Sequence, residues 1–226
     1  MSLHAFRQPF SASAVADNDP ATLAAALMQS RQTILPRRLL APGPDTEQLR
    51  SIFNAAATAP DHGQLLPWRF VVVPQSARDR LADVFGASLM ERDAQSTPEQ
   101  LAQAREKAYR APLLTLVIVD GQRGDPGIDL PERIVSAGCA VQNMLLMATA
   151  LGFGSALTSG KALKFDGLRR LFCLTDDEQA LCFVSVGTAQ SRKPARPRPT
   201  PPEFVTQLSA VETAVQSEPL RSFYSL

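Results

Sequence analysis

Histidine is almost missing from this sequence: of 226 residues, only His4 and His62 carry an imidazole. With no HExxH and no cluster of cysteine with histidine, zinc chemistry lacks its ligands. GxSxG and GxxxxGK[ST] are missing as well, which removes the serine-hydrolase elbow and the phosphate-cradling P-loop. Cysteine is scarce. Cys139, Cys173 and Cys182 are an odd number without CxxC spacing, each in an apolar stretch where a thiol packs as a small hydrophobe, the pattern expected of a reducing cytoplasm. No apolar run approaches ~18 residues, and the first thirty residues have no apolar signal core, so neither a membrane span nor secretion is expected. Charge of one sign is lacking too. The 23 basic and 22 acidic residues leave a net charge of +1, without the broad positive face that nucleic acid requires. A small molecule and another protein chain are the partners left.

What is present suffices for one full core, since 45% of the residues are apolar. The composition divides the chain into a poorly ordered arm at 1–18, one α+β domain at 19–208 and a tail of mixed pattern at 209–226. Asn18 or Asp19 caps a helix with Pro20 in its first turn, and Leu23, Ala26, Leu27 and Ser30 recur as a core-facing stripe. LPRRLLAPGP, with three prolines and a glycine, is extended or turned. Asp45 with Gln48, and Thr97 with Gln100, read as capping boxes for two further helices, and Ser76 as the start of another. The helix from Ser76 and the one from Thr97 are expected at the surface. Phe70 to Val73, LLTLVIV at 113–119 and LCFVSVG at 181–187 read as strands, the second apolar on both faces as a central strand would be. RIVSAGCAVQNMLLMATALGFG is apolar or small nearly all round, which predicts a helix over about 133–151 with cover on every side, some of it from a second subunit. On that reading a charge at Val141 or Leu145 falls in the subunit interface.

Three polar clusters stand at the ends of apolar elements: RQT at 31–33, TAPDHGQLLPW at 58–68 and ALTSG at 156–160. Together with the basic residues near 192–198 they supply guanidinium, hydroxyl and amide donors for a phosphate, and apolar walls for a heterocycle. Gly152 and Gly154 form GFG after a helix, where a dinucleotide fingerprint needs a strand before and a helix after.

RQT after a short helix, then APDHGQLLPWRFVVV, then SAGCAVQNMLLMATALGFGSALTSG, then VSVGTAQ, resemble the ordered motifs of the nitroreductase family over about residues 22–206. The resemblance is strongest to small bacterial members with APDH before PW. It implies a nitroreductase-like α/β/α sandwich with a mainly antiparallel central sheet, an intertwined homodimer with FMN at its interface, and NADH or NADPH as reductant. The activity implied is hydride transfer from NAD(P)H through FMN to a small nitroaromatic, quinone or similar acceptor. The alternative is a flavin carrier or a degenerate, non-enzymatic flavin-binding module. Carried over by position, Arg31, Gln32 and Thr33 match the family's RRS triplet, which meets the flavin. Thr58 and His62 match positions that reach the cofactor from the partner subunit. Leu157, Thr158 and Ser159 match a WRS-type segment along the ring, and Met147 to Gly152 a stretch proposed for nicotinamide contact. The chain departs from the pattern where RRS has become RQT, WRS has become LTS, an arginine is replaced by Thr58, and Leu66 stands where glutamine or asparagine is usual before PW. Phosphate binding then leans on Arg31 with Arg198, Arg196 or Lys193. No side chain is named as catalytic.

Read without the resemblance, several residues have a plainer role. Arg31 is also a favourable charge at a helix C-terminus. His62 is also a loop histidine bonded to backbone, and Thr33, Thr158 and Ser159 are also local turn caps. Met144 and Met147 read as core, Trp68 as an anchor for the elbow that Pro60 and Pro67 stiffen, and RKPARPR as a solvated proline-rich tail.

Overall fold

A computed structural model describes residues 19–192, 194, 196–208, 218 and 219. The arm at 1–18, Lys193 and all of the tail at 209–226 except 218 and 219 lie outside the described residues. The chain divides into two compact units, Met1–Arg192 and Lys193–Leu226.

The first unit is organised by a five-stranded sheet. LLTLVIV becomes β3, Leu113–Asp120, buried from its first residue to Val119. It is flanked by β2, Trp68–Val72, and by the long β5, Glu178–Ala189, both antiparallel to it. β5 also pairs antiparallel with β1, Leu39–Leu40, through Ala189 and Thr188, and with β4, Gly154–Thr158, through Gly187 to Phe183. The register of β3 against β5 slips between Val117 and Ile118, so Leu181 has no opposite residue.

Strand alternation sends side chains to two cores. On one face Leu113, Val117, Val184 and Val186 pack against α2, Thr46–Ala56, and α5, Leu130–Ala150. On the other face Leu114, Leu116, Ile118 and Phe183 pack against α3, Arg78–Arg92, and α6, Asp166–Leu171. Helices on both faces of an antiparallel sheet make the expected α/β/α sandwich. Leu116 and Ile118 are fully buried, worth roughly 1.5–3 kcal/mol each relative to exposure.

Both capping boxes form. Asp45 accepts from Gln48 N at 2.9 Å while Gln48 accepts from Asp45 N at 3.0 Å, and Thr97 with Gln100 does the same at the start of α4, Pro98–Glu106. Asp19 caps α1, Pro20–Ser30, at its N-terminus. Two arginines are buried without a carboxylate. Arg78 donates to the carbonyls of Val73 at 3.0 Å, Ala108 at 2.7 Å and Pro112 at 3.2 Å, holding the entry to β3. Arg133 donates to Ile128, Arg123 and Asp125 carbonyls at 2.6–2.8 Å, which ties the glycine- and aspartate-rich loop to the start of α5. Backbone carbonyls disperse the buried charge, and desolvation holds the Arg78 guanidinium below its ordinary pKa.

Three expectations are corrected. The stripe on α1 is not core: none of its residues is buried, and Leu23, Ala26 and Ser30 are exposed, because α1 packs chiefly against α5, outside the sheet's two cores. On α5, Val135 is 66% exposed and Ile134, Gly138 and Gln142 are exposed beside it, the side that the chain itself leaves uncovered, whereas Val141 and Leu145, expected in the subunit interface, point into the chain's own core. A charge at those two positions therefore breaks the subunit itself. α3 begins at Arg78 after a single turn at Gln75–Ala77, and it is not only a surface helix, for Leu81, Ala82, Gly86 and Ser88 are buried. The first three residues of ALTSG complete β4.

In the second unit, Thr200 caps a turn at Pro201–Glu203, and β6, Thr206–Gln207, pairs antiparallel with β7, Glu218–Pro219.

Candidate functional site

α1 ends at Arg31 with extended backbone, and the chain then runs beside β4. Thr33 forms a parallel bridge with Ser155, and Ile34 N donates to Ser155 O at 2.9 Å. Gly154 permits the approach. A Cβ there would stand 2.8 Å from Leu39 Cδ2 and 3.0 Å from Ile34 Cγ1, closer than packed carbons tolerate. RQT and ALTSG, far apart in sequence, are thereby laid side by side.

A cavity of about 350 Å3 opens at this seam. Arg31, Thr33, Ser155 and Gln142 give it a guanidinium, two hydroxyls and a carboxamide, and Leu145, Ala156 and Leu157 give it apolar wall. The Ser155 hydroxyl is buried with no hydrogen-bond partner. A buried hydroxyl left unpaired costs about 1–3 kcal/mol, a cost that a polar partner reaching Ser155 would remove. Gln32 is half-buried on the same turn of chain. Thr158 and Ser159 follow Leu157 but line a different cavity, on the α3 side of the sheet. Arg198 and Arg196 belong to the second unit.

The elbow before β2 is built from tight backbone. Gln64 and Leu66 have φ of 53° and 48°, and Asp61 Oδ2 accepts from Leu66 N at 2.6 Å. Trp68 closes it from below, its indole N–H donating to the buried Ser136 hydroxyl of α5 at 3.0 Å. Thr58 Oγ1 accepts from Asn143 Nδ2 at 3.0 Å, one residue from the cavity's Gln142. His62 Nδ1 lies 2.8 Å from a Glu132 carboxylate oxygen in the first turn of α5. That hydrogen bond, with the attraction of the carboxylate, raises the His62 pKa. Glu132 and Gln142 are about 15 Å apart along the helix axis, at the 1.5 Å rise per residue. Within one chain, then, His62 does not reach the cavity that Arg31 lines.

Gln142 and Ser155 were not singled out by sequence, and Leu145 only as an interface position. Gln142 had a signal, as a carboxamide inside an apolar helix, and Ser155 had none until its pairing with Thr33 was visible.

A sequence model of the Nitroreductase family matches residues 28–188. A protein of Haemophilus influenzae named "Putative NAD(P)H nitroreductase" is 35% identical over 159 residues, covering 69% of this chain and 84% of its own length. Among solved structures, a nitroreductase-like family protein from Bacillus cereus superposes with a TM-score of 0.68 at 18% identity, over 81% of this chain and 95% of that one. The FMN and NADPH-dependent nitroreductase NfnB from sphigopyxis sp. strain HMH superposes with a TM-score of 0.65 at 18% identity, over 82% and 99%. At such identities the two structures establish the fold.

Proposed function

The chain belongs to the nitroreductase family, and from that premise we propose that it is an FMN-dependent oxidoreductase, taking hydride from NADH or NADPH and reducing a small nitroaromatic, quinone or similar acceptor. The observation that carries this reading is the seam between Arg31–Thr33 and β4, where a guanidinium, two hydroxyls, one of them unpaired and buried, and a carboxamide gather beside apolar wall. That donor set fits a planar heterocycle bearing a polyol and a phosphate. When bound, FMN supplies the two-electron relay between nicotinamide and acceptor.

The protein's own residues bind and orient. Arg31 meets the phosphate charge. Thr33, Ser155 and Gln142 offer hydrogen bonds, Gln32 borders them, and Leu145 and Leu157 exclude water from the ring's edge. Thr158 and Ser159 extend this lining toward the neighbouring cavity. Among the described residues that line the Arg31 cavity there is no carboxylate, histidine or cysteine.

The exposed face of α5, with Ile134 and Val135, and the exposed Leu157, Leu23 and Met28, are covered in this reading by a second copy of the chain. Its Thr58 and His62 approach the cofactor across that interface, which is why His62 stands away from the cavity of its own subunit.

The test is the visible spectrum of the purified protein after FMN addition and desalting, then its bleaching by NADH or NADPH under argon. Retained flavin that either nucleotide bleaches is expected. Flavin that neither bleaches favours the carrier, and no retained flavin overturns the reading. Arg31→Ala should weaken FMN binding by about one to two decades, the worth of one charge-assisted hydrogen bond at roughly 1.5–3 kcal/mol.

A further inference from the structure

On the opposite face of the sheet from Leu145 and Arg31, a cavity of about 340 Å3 opens between α3, the helical stretch 98–109 and the turn Lys161–Lys164. Its walls are apolar. Phe85 and Phe183 meet edge to face with centroids 5.9 Å apart, and Leu163 stands beside them. Its charge is of one sign: Arg92, Lys107, Arg110 and Lys161 line it, and among the described residues no aspartate or glutamate does. Glu106 pairs with Arg110 at 2.5 Å, and Arg92 donates Nε to the carbonyl of Ser88 at 2.9 Å. No carboxylate pairs with Lys107 or Lys161 among the described residues.

Cations in excess of their counter-ions, set around a low-dielectric floor, concentrate positive potential inside a cleft. Aromatic walls meanwhile favour a flat apolar body, and the volume is at the small end of the ~300–1,000 Å3 range for small-molecule sites. A single ring with one anionic group satisfies both features. Thr158 and Ser159 also line this cavity and directly follow Leu157 of the Arg31 cavity, with the sheet between the two.

We infer that this cavity selects small aromatic carboxylates, at a site across the sheet from the Arg31 cavity. The inference does not depend on the flavin reading of that cavity.

Calorimetric titration of the full-length protein with 4-nitrobenzoate and with 4-nitrobenzamide, alike in ring and size but different in charge, tests the inference. The visible spectrum of the same sample records its flavin. The carboxylate should bind at least about tenfold more tightly at low salt, with the gap narrowing as salt screens the exposed lysines. The double variant Lys107→Gln/Lys161→Gln should lose about tenfold for 4-nitrobenzoate and nothing for 4-nitrobenzamide. Equal affinities in a flavin-loaded protein, or a preference that survives the double variant, would overturn the inference and leave the redox reading intact. A preference kept by protein that takes up no flavin would uphold carboxylate binding and overturn the redox reading alone.

Discussion

The hydrogen bond between Trp68 and Ser136 gives a sharp test of how the elbow is held. Both residues are under a tenth exposed, and the indole N–H reaches the serine hydroxyl at 3.0 Å. Ser136→Ala strands that N–H in the core, which costs about 1–3 kcal/mol. For a chain of this size that lowers Tm by roughly 2–12 °C. Trp68→Phe removes the donor but also leaves a void beside Phe70, whose ring centroid is 5.2 Å away, and should cost about 2–4 kcal/mol. Once the donor is gone, Ser136→Ala strands nothing. The double variant should therefore be more stable than the sum of the two losses predicts, by about 1 kcal/mol. Far-UV circular dichroism at fixed protein and FMN concentration measures the cycle. Losses that add to within about 0.5 kcal/mol would mean that the two side chains act independently, and the anchor argued here would be refuted.

Four more outcomes follow from the structure. Arg69 holds Glu178 through two hydrogen bonds, at 2.5 and 2.9 Å, and these lower the carboxyl's pKa. Its stabilisation is thus complete above the ordinary glutamate value of about 4.3 and lost as pH falls through the lowered native value, so urea midpoints should fall more steeply below pH 4 in the parent than in Glu178→Gln. NMR titration should place the His62 midpoint above the usual ~6.5, and Glu132→Gln should bring it down, because the Glu132 hydrogen bond is the main cause of the shift. Any stabilisation from that pair is complete below ~6.5 and lost as pH rises through the raised value. Burial pushes the Cys182 thiol up to about 11, so iodoacetamide at pH 8 should label the exposed Cys173 well before Cys182, as read by mass spectrometry. Val135→Glu should leave the circular dichroism spectrum intact while sedimentation shows a monomer, and an unchanged dimer would move the proposed interface off this face of α5.

The local signals in the sequence were strong where one residue's neighbours decide its conformation. Asp45 with Gln48 and Thr97 with Gln100 marked helix starts to the residue, and the unbroken apolar run at 113–119 announced a strand covered on both faces. β4 escaped because its five residues, GSALT, have neither alternation nor an unbroken apolar run, and their strand conformation comes from pairing with β5. α5 misled only at Val141 and Leu145, because apolar residues destined for another surface look the same in sequence as those destined for the core. Arg78 and Arg133 gave no warning of burial, since the carbonyls that accept from them are gathered by the fold. For the site, RQT and LTS stood out as clusters, but the sheet divides the second, sending Leu157 to one cavity and Thr158 and Ser159 to another.

The short run of chain from Thr33 to Leu40 settles how this sheet can grow. It is stitched to the sheet twice, along the rim at Ser155 of β4 and again at Thr188 and Ala189 of β5. The opposite rim is β2, five residues long, with Arg69 on it and Pro67 and Pro74 at its ends. Prolines and charge discourage a further strand there, and the stitched rim offers few unpaired amides. Copies of this chain are thus steered away from polymerising by strand addition, and association is left to the faces of its helices.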